Sequence, residues 1–356
     1  MSNRLRNIFF IIGLIAIVVM CFTFEVSFID LWKYITTAGY WLVAILLLWL
    51  GLYMMNALSW RIILGGSGPV RVSYWRLLKW TVSAFALNTV TPVGLAGGEP
   101  YKILELKEYV GAQRATSSVL LFAMMYIFAH FSFWAVAIVT YIVLATFGLM
   151  PMDVLTATLL LLMGIFCSGG IYLFCRGYRN GMVVKVIGFV SHIPGLRRWA
   201  TSYASAHAED LRKIDQQISA LHGQNRRSFW LTYCLEFVGR MLQSMELVFI
   251  IFICTPELSF SWSSLGDNLY IIIRETPAAF LHSFLILAFT SLFANLLFFL
   301  PLQLGGREGG FAMSTTQMGM SNEMGLFISI ICRVRELFWT CVGLLLMKVG
   351  NRQKPK

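Results

Sequence analysis

The chain has 356 residues, 58% of them hydrophobic and 13% charged, with a mean hydropathy of +0.72. No soluble domain of this length hides so much apolar surface, so the composition specifies an all-α polytopic integral membrane protein. The net charge of +11 arises from Lys and Arg gathered in short segments between apolar stretches; there they set topology and meet anionic headgroups, and no nucleic-acid partner is expected.

The first apolar segment, Ile8 to Phe24 behind Arg4 and Arg6, lacks a small-residue cleavage site before Glu25 and precedes further apolar segments. It reads as an uncleaved first span. An external stretch with Glu25, Asp30 and Lys33 leads to a second span, Trp41 to Leu64, which ends among Arg61, Arg71, Arg76 and Lys79 on the cytoplasmic side. Leu77 to Val90 is apolar enough to enter the bilayer, but Pro92, Gly94, Gly97 and Gly98 interrupt it, and Lys102, Glu105, Lys107, Glu108 and Arg114 follow at once. This predicts a re-entrant element around residues 77–100, entering from the cytoplasm.

Ala115 to Leu149 and Val154 to Cys175 form two spans around an external turn broken by Pro151 and Asp153. Residues 176–228 are the only substantial polar region, with nine Lys or Arg, and Leu211, Ile214, Ile218 and Leu221 recur there at helical spacing. They predict an amphipathic cytoplasmic linker helix, either packed on the membrane domain or offered to a partner. Phe229 to Cys254 crosses outward, and a loop from Thr255 to Pro277 carries Glu257, Asp267 and Glu275 against Arg274, which suits the external face. The last span is Met324 to Met347.

A full crossing by Ala278 to Leu300 would leave Lys348, Arg352, Lys354 and Lys356 outside, against the positive-inside rule. A second re-entrant element around residues 278–310, entering from outside, keeps both termini cytoplasmic. The expected architecture is a single domain, residues 1–356, multi-pass in the cell inner (cytoplasmic) membrane. It has about six full spans and two Pro/Gly-broken re-entrant elements. Its first half, 1–175, and second half, 229–356, form an inverted repeat.

The two breaks share a signature. Thr91-Pro92-Val93-Gly94-Leu95-Ala96-Gly97-Gly98-Glu99 and Leu300-Pro301-Leu302-Gln303-Leu304-Gly305-Gly306-Arg307-Glu308 each run from proline through a short spacer to paired glycines and a carboxylate. Each follows an apolar stretch with one asparagine, Asn88 or Asn295. Pro92, Gly97, Gly98, Pro301, Gly305 and Gly306 are the expected hinge positions. Irregular backbone at membrane depth survives only against protein or a watery cavity, so two breaks imply an internal polar cavity. Half-helix N-termini facing it attract an anion such as a lipid phosphate. The glycine pairs either admit a headgroup close to the backbone or simply allow tight helix packing.

Glu99 beside Lys102, and Glu308 beside Arg307, either line the pathway or lock their loops as salt bridges. Glu236 and Arg240 share a helix face one turn apart, so they either neutralise each other or leave Arg240 to a phosphate with Glu236 holding it. Arg333 and Arg335, with Glu336 next to them, offer forked donors suited to phosphate. His130, among Phe128, Phe131, Phe133 and Trp134, reads as a core histidine outside the site. No catalytic residue is assigned. The seven cysteines form no CxxC pair and have no His cluster beside them, so neither disulfide, metal nor cofactor is expected.

Asn88-Thr89-Val90-Thr91-Pro92 leading to Gly97-Gly98-Glu99-Pro100-Tyr101-Lys102, and Pro301 leading to Gly305-Gly306-Arg307-Glu308-Gly309, resemble the lysylphosphatidylglycerol synthase transmembrane, or flippase-like, family. The similarity runs from the first span to the Arg333/Arg335 span. Two departures stand out: Arg307 precedes the glutamate where members more often carry an apolar residue, and Lys102 stands where many have arginine. The resemblance implies a membrane domain that moves lipids with charged or glycosylated headgroups between leaflets. Bifunctional members join it to a soluble aminoacyl-transferase domain; this chain ends at Lys356 without one, so synthesis of aminoacylated lipid is not expected from it.

The leading expectation is a non-enzymatic translocase for a lipid with a charged or phosphate-bearing headgroup, whether anionic, aminoacylated or polyprenyl-linked. No GxxxxGK[ST] motif is present, so its drive would come from a gradient, from ion or proton coupling, or from headgroup consumption on the far side. The alternatives are an intramembrane enzyme acting on phospholipid or polyprenyl-linked headgroups, which needs a nucleophile and base within reach, and a membrane scaffold holding an envelope-synthesis enzyme through its polar linker.

Overall fold

The computed structural model describes residues 28–70, 72–91, 97–180, 226–254, 265–296 and 306–348, together with Ile11 and Glu209. Among the described residues the chain is helical: α1 (Phe28–Gly66), α2 (Tyr74–Val90), α3 (Gly98–Val110), α4 (Ala112–Thr146), α5 (Val154–Asn180), α6 (Arg226–Ile253), α7 (Leu265–Leu296), α8 (Gly306–Gln317) and α9 (Asn322–Lys348). The expected first span, the amphipathic helix at Leu211 to Leu221, and Pro92, Pro301 and Gly305 lie outside these residues.

Four stretches are long and apolar enough to cross a membrane: Ala38–Gly66, Ala112–Thr146, Val154–Arg176 and Ile271–Leu296. With them the chain is a multi-pass membrane protein. Helices α6 and α9 have comparable lengths, 28 and 27 residues, but carry Glu236, Arg240 and Glu246, and Arg333, Arg335 and Glu336. These charged residues are at least partly buried, as ionisable groups at membrane depth must be. In contrast, α5 packs chiefly on α4 and exposes Leu155, Leu161, Leu162, Ile165 and Phe166, a surface that only lipid tails solvate without cost.

Local chemistry sets the element ends. Helix α1 breaks at Gly39, whose φ of +48° lies in the left-handed region that favours glycine. Helix α5 starts at Asp153, which accepts the Thr156 amide at 2.8 Å; hydrogen bonds from the Thr156 side chain and backbone hold this exposed carboxyl below its usual range. One expectation is corrected. The loop to Pro277 is helical from Leu265 onward, and Pro277 sits inside α7. Proline removes one helical donor, and the Thr276 hydroxyl supplies another in the same turn, donating to the Ile272 carbonyl at 2.5 Å.

The two ends of the bundle differ in charge. At one, Leu64 of α1, Leu77 of α2, Leu106 of α3, Ala115 of α4, Phe174 of α5 and Met347 of α9 share an apolar cluster, with Phe229 of α6 against it. The adjoining turns carry Arg61, Arg76, Lys79, Lys107, Arg114, Arg176, Arg226, Arg227 and Lys348. At the other end, Ala38, Tyr141, Leu160, Ile250, Met318 and Ile328 belong to a second cluster, and the charged groups nearby include, among the described residues, Asp153, Arg274, Glu275 and Glu323.

Arg76 at the start of α2 donates to Tyr109 near the end of α3 at 2.7 Å, so the start of α2 and the end of α3 both lie at the basic end. Arg114 fastens the neighbouring turn, donating to Ser67 Oγ and to the Leu64 and Gly68 carbonyls at 2.9, 2.8 and 2.7 Å. The α7–α8 pair is arranged the other way. Helix α8 (Gly306–Gln317) is followed by Met318, which lies in the cluster at the acidic end. Contacts are also crossed: α2 packs on α9, and α7 packs on α4.

Gly97 and Gly98 are closely packed at the α2–α3 joint. A methyl on Gly98 would stand 2.4 Å from the Ala84 carbonyl and 2.7 Å from Asn88 Oδ1, and the Gly98 amide donates to that same Asn88 oxygen at 2.6 Å. The glycine therefore serves close helix packing, and Asn88 satisfies the amide at the start of α3. Gly98→Ala is expected to destabilise the protein by about 1–3 kcal/mol, checked by equilibrium unfolding of the detergent-solubilised protein in SDS; an unchanged midpoint would show that the joint yields.

Candidate functional site

Two polar cavities lie inside the bundle and meet at three shared side chains. The first, about 190 Å³, is enclosed by α1, α2, α3, α4 and α6, and its polar lining includes Asn56, Thr81, Asn88, Glu99, Lys102, Tyr126, Glu236, Arg240 and Gln243. The second, about 140 Å³, lies among α4, α6, α7, α8 and α9 and is lined by His130, Arg240, Gln243, Ser291, Asn295, Arg307, Arg335 and Glu336 among others. Each has room for several waters. Trp49, Arg240 and Gln243 line both cavities and form the partition between them.

In the first cavity the expected pair is present. Lys102 Nζ lies 2.8 Å from Glu99 Oε2, with side chains 5% and 16% exposed; that oxygen makes no hydrogen bond of regular geometry, so the contact is an ion pair. The ammonium is also 4.6 Å from the centre of the Phe122 ring and 5.7 Å from that of Trp60, which compensates a buried cation.

Helix α6 departs from expectation. Glu236 and Arg240 face the same cavity but are not a hydrogen-bonded pair. Arg240 Nη1 donates to Gln243 Oε1 at 2.8 Å, and its guanidinium lies 4.1 Å from the centre of the Tyr126 ring. Its Nη2 is buried without a hydrogen-bond partner, and so is Glu236 Oε1. The turn between them aligns the two residues, but the stacking surface of Tyr126 and the amide of Gln243 draw the guanidinium away.

The second cavity is built from matched charges. Arg307 of α8 pairs with Glu336 of α9, not with its sequence neighbour Glu308, because consecutive helical residues point in different directions. Glu308 accepts both Nε and Nη2 of Arg333 on one oxygen, at 3.1 and 2.7 Å. Arg335 makes a two-pronged contact with Glu246, at 2.9 and 3.2 Å, with both side chains 1% exposed. Trp49 donates to Glu246 at 3.0 Å, and its ring centre lies 3.7 Å from the Arg335 guanidinium. Asn295 turns its amide to the Ser291 carbonyl at 2.7 Å.

The structure therefore brings Asn88, Glu99, Lys102, Glu236 and Arg240 into one cavity, and Asn295, Arg307 and Arg335 with Arg240 into the other. Glu308 and Arg333 form a pair outside both linings. Gly306 is buried at the start of α8. Sequence reasoning missed Trp49, Tyr126, Gln243 and Glu246, and placed His130 outside. His130 lines the second cavity, with its ring 5.2 Å from Tyr126 and 5.1 Å from Trp134. Only Gln243 carried a usable signal, being one turn beyond Arg240 on its face. Of the guanidiniums at these cavities, Arg307 and Arg335 are paired with carboxylates, Arg335 Nη1 being buried without a hydrogen bond but 3.6 Å from Glu336 Oε1, whereas Arg240 has an unpartnered Nη2 and an amide in place of a carboxylate.

Searches of curated proteins and of solved structures each return no match. The family model described as the lysylphosphatidylglycerol synthase TM region matches residues 10–343, nearly the whole chain. The chain belongs to that family of membrane domains.

Proposed function

We propose that the protein is a lipid translocase that moves a lipid with a charged or phosphate-bearing headgroup between leaflets, without chemically altering it. The observation that carries this reading is Arg240: a partly buried guanidinium whose Nη2 is buried and unpartnered, standing between two polar cavities. A phosphate oxygen on Nη2 would complete its hydrogen bonding, and charge-assisted bonds of this kind are among the strong ones. The headgroup would pass from one cavity to the other across Arg240, Gln243 and Trp49 while the acyl tails stay in lipid.

Three features support alternating access around that residue. The α2–α3 hairpin opens to the basic end and α7–α8 to the acidic end; their crossed packing on α9 and α4 is what two inverted repeats require; and the positive-inside rule makes the basic end cytoplasmic, the C-terminal end of α9 included. In this reading both hairpins are re-entrant, and the cytoplasmic membrane of a cell that makes anionic, aminoacylated or polyprenyl-linked lipids is the setting. The enzyme that supplies the lipid is the natural partner.

The test is leaflet exchange in liposomes containing the full chain, comparing lipids that carry a headgroup phosphate with a phosphate-free glycolipid of the same tails. Selective exchange of one phosphate-bearing class supports the reading. Exchange blind to the headgroup, or conversion of the lipid to a new product, contradicts it. A variant expectation concerns the first cavity: Glu99→Gln frees Lys102 from its ion pair and is expected to slow exchange roughly tenfold, the effect of about 1.4 kcal/mol in an interaction.

A further inference from the structure

We propose that Glu236 is a proton site coupled to the headgroup, so that each phosphate taken up on Arg240 brings one proton onto the Glu236 carboxylate. The inference rests on the reading of Arg240 as the headgroup anchor and goes beyond it by naming what is carried with the lipid.

Glu236 is 4% exposed, and its Oε1 is buried without a hydrogen bond of regular geometry, the buried Ser59 hydroxyl of α1 being a neutral donor beside the carboxyl. An ionised carboxylate left so is costly, and a neutral one much less so. The positive charges near enough to hold it ionised line the same cavity: Arg240 on its own helix and Lys102 from α3. Lys102 is already in contact with Glu99. That leaves Arg240, which neither bonds Glu236 nor is matched by another carboxylate.

The other titratable groups facing this space are few. Helix α1 contributes Tyr53, α3 contributes Glu99 and Lys102, and α4 contributes Tyr126, with His130 one turn further in the second cavity; α2 presents the uncharged Thr81 and Asn88. Helix α9, which also touches α6, holds its ionisable groups Arg333, Arg335 and Glu336 against Glu308, Glu246 and Arg307. From α7, the second-cavity lining is uncharged.

An anion on Arg240 Nη2 cancels the charge that favours ionised Glu236 and adds a negative one beside it. A unit charge about one helical turn away, at an effective dielectric of about 20, biases a protonation equilibrium on the order of 100-fold. Binding therefore draws a proton from water through the cavity. The balance is simple: Arg240 cation with Glu236 carboxylate when empty, and Arg240 cation, phosphodiester anion and neutral Glu236 when loaded. The site's net charge is the same in both states, so neither faces an extra desolvation cost in a low-dielectric interior. A downhill proton gradient would then pull the lipid with it.

The experiment is calorimetric titration of dihexanoyl phosphatidylglycerol into the full chain in phosphatidylcholine nanodiscs, at one pH in two buffers of different ionisation enthalpy and then across pH. The wild type is expected to take up about one proton per lipid, with affinity falling up to tenfold per pH unit as pH rises. Glu236→Gln is expected to bind with no proton uptake and no pH dependence over that range. Wild-type binding without proton uptake overturns the proposal, whether or not the variant folds. Proton uptake that persists in Glu236→Gln also overturns it, by placing the proton on another group. Absence of binding at every pH overturns the Arg240 reading on which it rests.

Discussion

Arg335→Met is expected to destabilise the protein by about 3–5 kcal/mol, because it strands Glu246 as an uncompensated buried charge. The guanidinium and carboxylate are both 1% exposed and joined by two hydrogen bonds. The pair ties α6 to α9, which otherwise touch lightly. Trp49 of α1 closes the arrangement, giving a hydrogen bond to Glu246 and a ring face to Arg335. Removing both charges together costs less than removing one, since a matched buried pair gains little over an apolar replacement of equal volume. Equilibrium unfolding in SDS should therefore show Glu246→Leu/Arg335→Met recovering much of the stability lost in Arg335→Met. If the double variant is no more stable than the single, the pair contributes through packing with Trp49 and not through charge.

Arg240→Gln should behave in the opposite way: stability close to wild type and transport lost. Its guanidinium contributes one hydrogen bond, to Gln243, plus the contact with Tyr126, and leaves Nη2 unused. Truncation thus breaks little in the empty protein, because Glu236 neutralises by taking up a proton once the guanidinium is gone. For a phosphate, though, the loss is a charge-assisted hydrogen bond, about 1.5–3 kcal/mol, or on the order of 100-fold in exchange rate. Arg240→Lys keeps the charge but loses the planar fork, and an intermediate loss of roughly tenfold is expected. Leaflet exchange measured beside SDS unfolding separates the two classes of residue. A large stability loss in Arg240→Gln would make Arg240 structural, like Arg335.

Much of this molecule is written in local pattern. The helix starts at Gly98 and Gly306 announce themselves through the paired glycines there, because a long apolar run interrupted by such residues rarely continues as one helix. The Glu99–Lys102 ion pair was equally legible, being three residues apart on one helix. The partners of Arg307, Arg333 and Arg335 were not. Each lies on another helix, and the sequence offers several carboxylates of equal chemical merit; only the packing of α8 on α9 and of α6 on α9 selects Glu336, Glu308 and Glu246.

Arg240 shows the limit in another form. Its spacing from Glu236 pointed to a pair, yet an aromatic ring from α4 and an amide one turn on compete for the same guanidinium. Tyr126 is distant in sequence, so nothing local signals the competition. Pro277 illustrates the reverse error. A proline in a polar stretch reads as a loop, but here a helix of 32 residues runs through it at the cost of one backbone hydrogen bond.

The most direct measurement is a cryo-EM structure of the full chain in nanodiscs made with the lipid class that exchanges in liposomes. The predicted result is headgroup phosphate density within hydrogen-bonding distance of Arg240 Nη2, bounded by Tyr126, Glu236 and Gln243. Headgroup density on Glu308 and Arg333 instead, with Arg240 bound only to Gln243 and Tyr126, would contradict it.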